Sequence, residues 1–151
     1  MNIINRSIKA LILLFVMSST SVFAADQVYT GYFSNKAVSG YDVIAFFDQQ
    51  KPVEGSSKYQ LEYKGADWYF SSQQNLDKFT ANPEKYAPQY GGYCAWAITN
   101  SDTAPGNPPF WTVHNDKLYL NYDQKVQNTW LADIDTFIEK ADVIWAKMEK
   151  K

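Results

Sequence analysis

The chain has little of the residue types from which most metal and catalytic sites are built. Its 151 residues include one cysteine, Cys94, and one histidine, His114. A zinc site of the Cys/His type needs four such ligands, so a single copy of this chain cannot form one. The sequence also has no glycine-rich phosphate loop and no Gly-x-Ser-x-Gly nucleophile elbow. These absences favour a binding protein over an enzyme.

Clustered positive charge and long apolar runs are also missing. The chain has 14 Lys and Arg against 16 Asp and Glu, a formal net charge of −2, and its basic residues are dispersed. This balance argues against nucleic acid or an anionic membrane as a partner. The longest apolar run, at residues 10–17, is too short to span a bilayer.

That short run belongs to a predicted signal peptide. Arg6 and Lys9 precede it, and small residues lead from it to Ala24. This order is typical of a secretory leader that is cleaved. We therefore expect residues 1–24 to be removed. The remaining protein is expected to be periplasmic or secreted, with no membrane insertion after cleavage.

Aromatic residues are abundant, at 17% of the chain, and predict a core built largely of rings. Alternating apolar residues predict two β-hairpins, over residues 59–70 and 110–120. Helices are predicted after Ser71 or Ser72, after Asn82 and from Asp123. A long amphipathic helix is expected after Asp133 as N-cap, with one apolar stripe formed by Ile134, Phe137, Ile138, Ala141, Ile144, Trp145 and Met148. The fold class is therefore α+β, with a small antiparallel sheet built from two hairpins and packed with three to four helices.

Three stretches are less regular. Residues 25–36 form an N-terminal lead-in, which we expect Tyr29, Tyr32 and Phe33 to hold against the body. Residues 37–47 are apolar and fit either a helix or a buried strand. Residues 99–109 predict an irregular loop of the kind that often carries function.

The stretch around Cys94 reads Tyr90-Gly91-Gly92-Tyr93-Cys94-Ala95-Trp96-Ala97. Paired glycines allow unusual dihedrals or a close backbone approach, and Tyr90, Tyr93 and Trp96 could line a pocket. A free thiol in an oxidising compartment must be buried, bound to metal, paired with another molecule or redox-active. The residues alone leave an inert and a functional Cys94 equally open.

Other candidate residues are weaker. Copper(I) prefers soft ligands, and the only other soft side chains after the leader are His114 and Met148. His114 is also explained by a hairpin turn, which makes a Cys94–His114 catalytic pair weak, and Met148 by core packing. Tyr41 and Asp42 are further candidates, although helix capping is sufficient to explain Asp42.

Several blocks of the sequence resemble the exported bacterial YHS domain-containing (seleno)proteins. They are Val38–Phe47, Trp68–Ser72, Phe79, Asn82–Tyr86, Tyr90–Ala95 and Lys117–Asn121, in the family's order. The resemblance covers residues 37–151 and implies a small α+β domain associated with metals. Some members carry selenocysteine at the position of Cys94, which favours a functional thiol. The cysteines of metal-binding members correspond here to Ser71 and Gln74, so the resemblance leaves Cys94 as the candidate ligand.

The sequence therefore predicts a YHS-like protein that binds copper(I) or another soft metal through Cys94. A second molecule, such as a dimer mate, a periplasmic partner protein or a small thiol, would complete the site. One alternative is a thiol redox or peroxide-handling protein that uses Cys94. Another is a non-catalytic interaction module in which Cys94 is structural.

Overall fold

The computed structural model describes residues 25–149, so the predicted signal peptide lies outside the described residues. Two short 3-10 turns, Ala37–Gly40 and Gln89–Gly92, accompany the regular elements. These are, in chain order, α1 (Val43–Asp48), β1 (Ser56–Tyr63), β2 (Ala66–Phe70), α2 (Gln73–Ala81), α3 (Pro83–Tyr86), α4 (Ala95–Ile98), β3 (Asn107–His114), β4 (Lys117–Asn121), α5 (Gln124–Ala132) and α6 (Ile134–Met148). The α+β class is confirmed. No helix in this part of the chain is long and apolar enough to cross a membrane.

Both predicted hairpins are present, but they form two separate two-stranded sheets. In the first, Tyr63 pairs with Ala66 across a tight turn, and in the second His114 pairs with Lys117. The residues described contain six helices, more than the three to four predicted. The difference comes from α1, which the sequence left open between helix and strand, and from α4, since both are too short to show a helical period.

Side-chain caps explain where several helices begin. Asp42 accepts a hydrogen bond from the N–H of Ile44, and this cap makes residues 43–48 a helix instead of a strand. Ser72, rather than Ser71, caps α2. Asp133 stands at the N-cap of α6 as predicted, but its side chain makes no capping hydrogen bond.

Two apolar clusters form the core. The first lies between the lead-in, α1, the first hairpin, α2 and part of β4, and includes Phe46, Trp68, Phe70 and Phe79. The second lies between α4, α5 and α6, with Trp130 at its centre. The whole predicted stripe of α6 packs in this second cluster, as its 3.6-residue spacing requires.

The lead-in differs from the expectation. Tyr29 does pack, with its ring 5.2 Å from that of Tyr93. Tyr32 and Phe33 are 96% and 104% exposed, so the prediction that they hold the lead-in was wrong. Backbone contacts hold it instead, since Ala25 N–H donates to the Met148 carbonyl and Tyr29 N–H donates to the Gly91 carbonyl. The predicted loop at residues 99–109 is also shorter, because β3 begins at Asn107.

Candidate thiol site

Cys94 is fixed between three parts of the chain. It follows the 3-10 turn Gln89–Gly92 and stands at the N-cap position of α4. Its backbone forms an isolated parallel bridge with Leu120 of β4. Its N–H donates to the Ala104 carbonyl at 2.8 Å. The sulfur is therefore held by neighbours that are distant in sequence.

The two glycines before Cys94 serve close backbone packing. Gly91 has φ +61°, and a Cβ there would lie 2.2 Å from the carbonyl oxygen of Gln27. Gly92 has φ +83°, and its own carbonyl oxygen would lie 2.2 Å from a Cβ on Gly106. Residues with side chains could not adopt these contacts without displacing the chain. Gly91 thus lets the lead-in approach the turn, and Gly106 lets the segment before β3 approach it, while Gly92 supplies the positive φ.

The sulfur itself is buried, with Cys94 only 1% exposed and unpaired. Its Sγ donates a weak hydrogen bond to Asn121 Oδ1, 3.7 Å away. Burial raises the pKa of the thiol above its ordinary value of 9.0, and the N–H groups of Ala97, Tyr122 and Trp96 offset this effect only in part. The sulfur is consequently a protonated thiol at neutral pH.

The side chain of Asn121, which contacts the Cys94 sulfur, was not predicted from the sequence. The residue is completely buried, and its Nδ2 has no hydrogen-bond partner within the described residues. A buried amide donor without a partner costs about 1–3 kcal/mol, so its presence calls for a reason. An Asn at the end of a strand, just before a helix cap, gives no sequence signal other than that of a turn.

A depression of about 360 Å³ lies over the thiol. Its surface is mostly apolar, with polar groups from Asn100 and Asp102. The other lining residues are Cys94, Trp96, Ala97, Ala104, Tyr122 and Val126. Of the three aromatic residues predicted to form a pocket, only Trp96 is in this lining. Cys94 therefore lies in the wall of a surface depression, although the residue is almost wholly covered.

Tyr90 and Tyr93 lie elsewhere. The Tyr90 hydroxyl donates to Asp142 at 2.8 Å, in a cleft that Gly91 also lines. Tyr93 packs on Tyr29 and on Trp145, with ring centroids 5.2 and 5.9 Å apart. Both tyrosines therefore join the body of the protein to α6 and the lead-in.

The other predicted soft ligands are not assembled with Cys94. His114 is at the turn end of the second hairpin, with Nε2 2.8 Å from Asp135 Oδ1. Met148 is buried in the second apolar cluster. Across residues 25–149, no group of three or more His, Cys, Asp or Glu side chains is arranged to hold a metal ion.

The contacts of Tyr41 and Asp42 are with the packed interior and not with the thiol site. Tyr41 packs against the first apolar cluster. Asp42 is fully buried, and its Oδ2 accepts hydrogen bonds from Ser71 N–H, Ser71 Oγ and Asn75 Nδ2 at 2.8, 2.6 and 2.7 Å. Ser71 is thus occupied by a contact with the Asp42 carboxylate.

Comparison with known proteins gives one match. Residues 43–90 match the family model of the YHS domain, a family associated with heavy-metal binding. No curated protein and no solved structure matches the chain. The matched residues contain neither Cys nor His, and Cys94 follows them by four positions.

Proposed function

We propose, from the premise that residues 43–90 form a YHS domain, that the protein binds a soft heavy-metal ion through Cys94. Copper(I) is the ion that we expect, and the predicted signal peptide assigns this role to the periplasm. The observation that carries the proposal is the position of the one thiol of the chain, in the lining of an apolar depression and against a buried amide.

The ligands available at the thiol site, one thiolate and otherwise oxygen atoms, favour transient binding of a metal ion over a closed structural metal site. The matched domain offers only oxygen ligands, which hard ions prefer, while a thiolate selects copper(I). One sulfur is too few to enclose an ion, so the ion would be easily taken up and released. These properties suit a carrier or delivery protein.

The redox alternative has less support. Peroxide reacts with thiolates, and reactive cysteines have a lowered pKa and are exposed to solvent. Burial raises the pKa of Cys94 and limits access to its sulfur. A proton-displacing soft metal ion is a better match to a neutral thiol, because metal binding itself drives deprotonation.

Metal loading tests the proposal. The protein without its leader is incubated with copper(I) in a buffer that contains a small thiol, separated from unbound metal by gel filtration, and its copper content is measured. We expect about one copper per chain, because only one thiolate is present. Cys94→Ser should lose this copper.

The matched controls are His114→Gln and Met148→Leu, which remove the other two soft ligands of the described residues. Both should retain the copper, because neither residue contacts Cys94. If Cys94→Ser binds as much copper as the parent, the proposal is wrong and Cys94 is structural.

A further inference from the structure

We infer that the cleft between α6 and the turn Gln89–Gly92 binds the ammonium group of a small alkylated amine. The cleft holds about 280 Å³, and its lining includes Tyr90, Asp142 and Trp145. Cys94 is not part of this lining, so the cleft is distinct from the site of the proposed metal binding. The expected ligand is an organic cation, which gives the chain a second and separate binding activity.

One part of the lining already holds an ammonium group that belongs to the protein. Lys64 Nζ lies 3.0 Å from Glu84 Oε1 and 5.4 Å from the centre of the Tyr63 ring. A cation is attracted to a carboxylate by charge and to a ring face by the quadrupole of the ring. The cleft is therefore built, at this position, from groups that receive an alkylammonium ion.

A second part of the lining repeats these groups on α6. The rings of Tyr90 and Trp145 lie 6.1 Å apart at an angle of 66°. The carboxylates are those of Asp142, on the preceding helical turn, and Glu149, just past the helix end. In the described part of the chain, no Lys side chain forms an ion pair with either carboxylate. The contacts that the lysine receives in the first part are thus offered here to a ligand.

The charge of the cleft favours a cation. Its lining has three carboxylates against one ammonium group, and Lys64 already pairs with Glu84. The end of α6 adds the partial negative charge of a helix C-terminus. The Tyr90 hydroxyl donates to Asp142 Oδ1 at 2.8 Å, which fixes that carboxylate and leaves Oδ2 to face a ligand. An anion would be repelled by this arrangement.

Apolar groups in the lining indicate that the cation carries carbon. Trp145 is only half-buried, and Ala87, Pro88 and Ala146 are in the same lining. Alkyl groups placed against them gain roughly 25 cal/mol for each Å² removed from water. A hydrated inorganic ion would gain nothing from these surfaces and prefers a larger set of oxygen ligands. An alkylammonium ion fits both the charged and the apolar groups.

Choline and its neutral isostere 3,3-dimethyl-1-butanol test this inference. NMR titration of the isotope-labelled protein follows the indole N–H of Trp145. We expect choline to shift this signal in a saturable way, while the signal of Trp111, which lines a different depression, stays in place. The isostere has the same shape without the charge and should bind about tenfold more weakly, because it lacks the attraction to rings and carboxylates. Added salt should weaken the binding of choline.

Two substitutions locate the binding site. Asp142→Asn should weaken choline binding by about tenfold, because it removes one negative charge and can still accept the Tyr90 hydroxyl. The matched control is Glu139→Gln, at an exposed position of the same helix outside the cleft, which removes the same charge and should bind choline as the parent does. Thermal unfolding of each variant confirms that it is folded.

The outcomes separate this cleft from the thiol site. Equal binding of choline and its isostere, equal weakening by Asp142→Asn and Glu139→Gln, or no shift of the Trp145 signal would each overturn the inference. Cys94→Ser should bind choline as well as the parent, because its side chain is outside the cleft. Copper binding and choline binding are thus measured independently, and the failure of one proposal leaves the other intact.

Discussion

Asp42 is a buried carboxylate that accepts four hydrogen bonds. It caps α1 through Ile44, and it joins that helix to the start of α2 through Ser71 and Asn75. A buried charge is tolerated only when it is hydrogen-bonded in this way. This hydrogen-bond network stabilises the junction between α1 and α2.

Replacing Asp42 by Asn should destabilise the protein by about 2–4 kcal/mol. The new NH₂ group would oppose donors that now converge on the carboxylate. The control is Asp48→Asn, at an exposed carboxylate paired with Lys78, for which about 0–1 kcal/mol is expected. Urea denaturation measures both, and equal effects would contradict the role given to Asp42.

At the scale of elements, the turn Gln89–Gly92 contacts the lead-in on one side and leads directly to Cys94 on the other. Gly91→Ala should destabilise the protein by about 3 kcal/mol, because the new Cβ meets the Gln27 backbone and the positive φ is strained. Gly65→Ala is a matched control with φ +74° and no atom within 4 Å of the added Cβ, so it should cost only about 1 kcal/mol. Thermal unfolding of the two variants compares their losses of stability, and the difference is the free-energy cost of the contact between the new Cβ and the Gln27 backbone.

The elements that could be predicted were those with a strong period. Helix α6 was predicted by its apolar stripe, and both hairpins by alternation and turn residues. The short helix α1 was ambiguous because six residues do not complete two turns. The position of the Cys94 sulfur was a different problem. It depends on Asn121, Leu120 and Ala104, which only the tertiary fold brings together.

At the scale of the whole molecule, two buried tyrosine hydroxyls in the second apolar cluster make the stability of the protein depend on pH. Burial, with a hydrogen bond to Asp142, raises the pKa of Tyr90 far above its ordinary value of 10.0, and burial raises that of Tyr119 to about 12. The unfolded chain therefore releases protons above pH 10 that the folded protein retains. Stability is present below pH 10 and falls as pH rises above it.

Urea denaturation between pH 8 and pH 11 should show this loss, at about 1.4 kcal/mol per pH unit for each tyrosine above pH 10. Tyr90→Phe should make the alkaline slope shallower by about that amount. Tyr32→Phe, at a side chain that is 96% exposed, should leave the slope as it is in the parent. A slope unaffected by Tyr90→Phe would be inconsistent with the burial of that hydroxyl.

Strand β4 faces both clusters, since Leu118 and Leu120 belong to the first and Tyr119 to the second. The family match ends at residue 90, yet the core of the matched segment includes two leucines from beyond that point. The interior of residues 43–90 is therefore completed by side chains from outside the family match. We expect the two hairpins to unfold together, because Leu118 and Leu120 of the second complete the apolar cluster of the first.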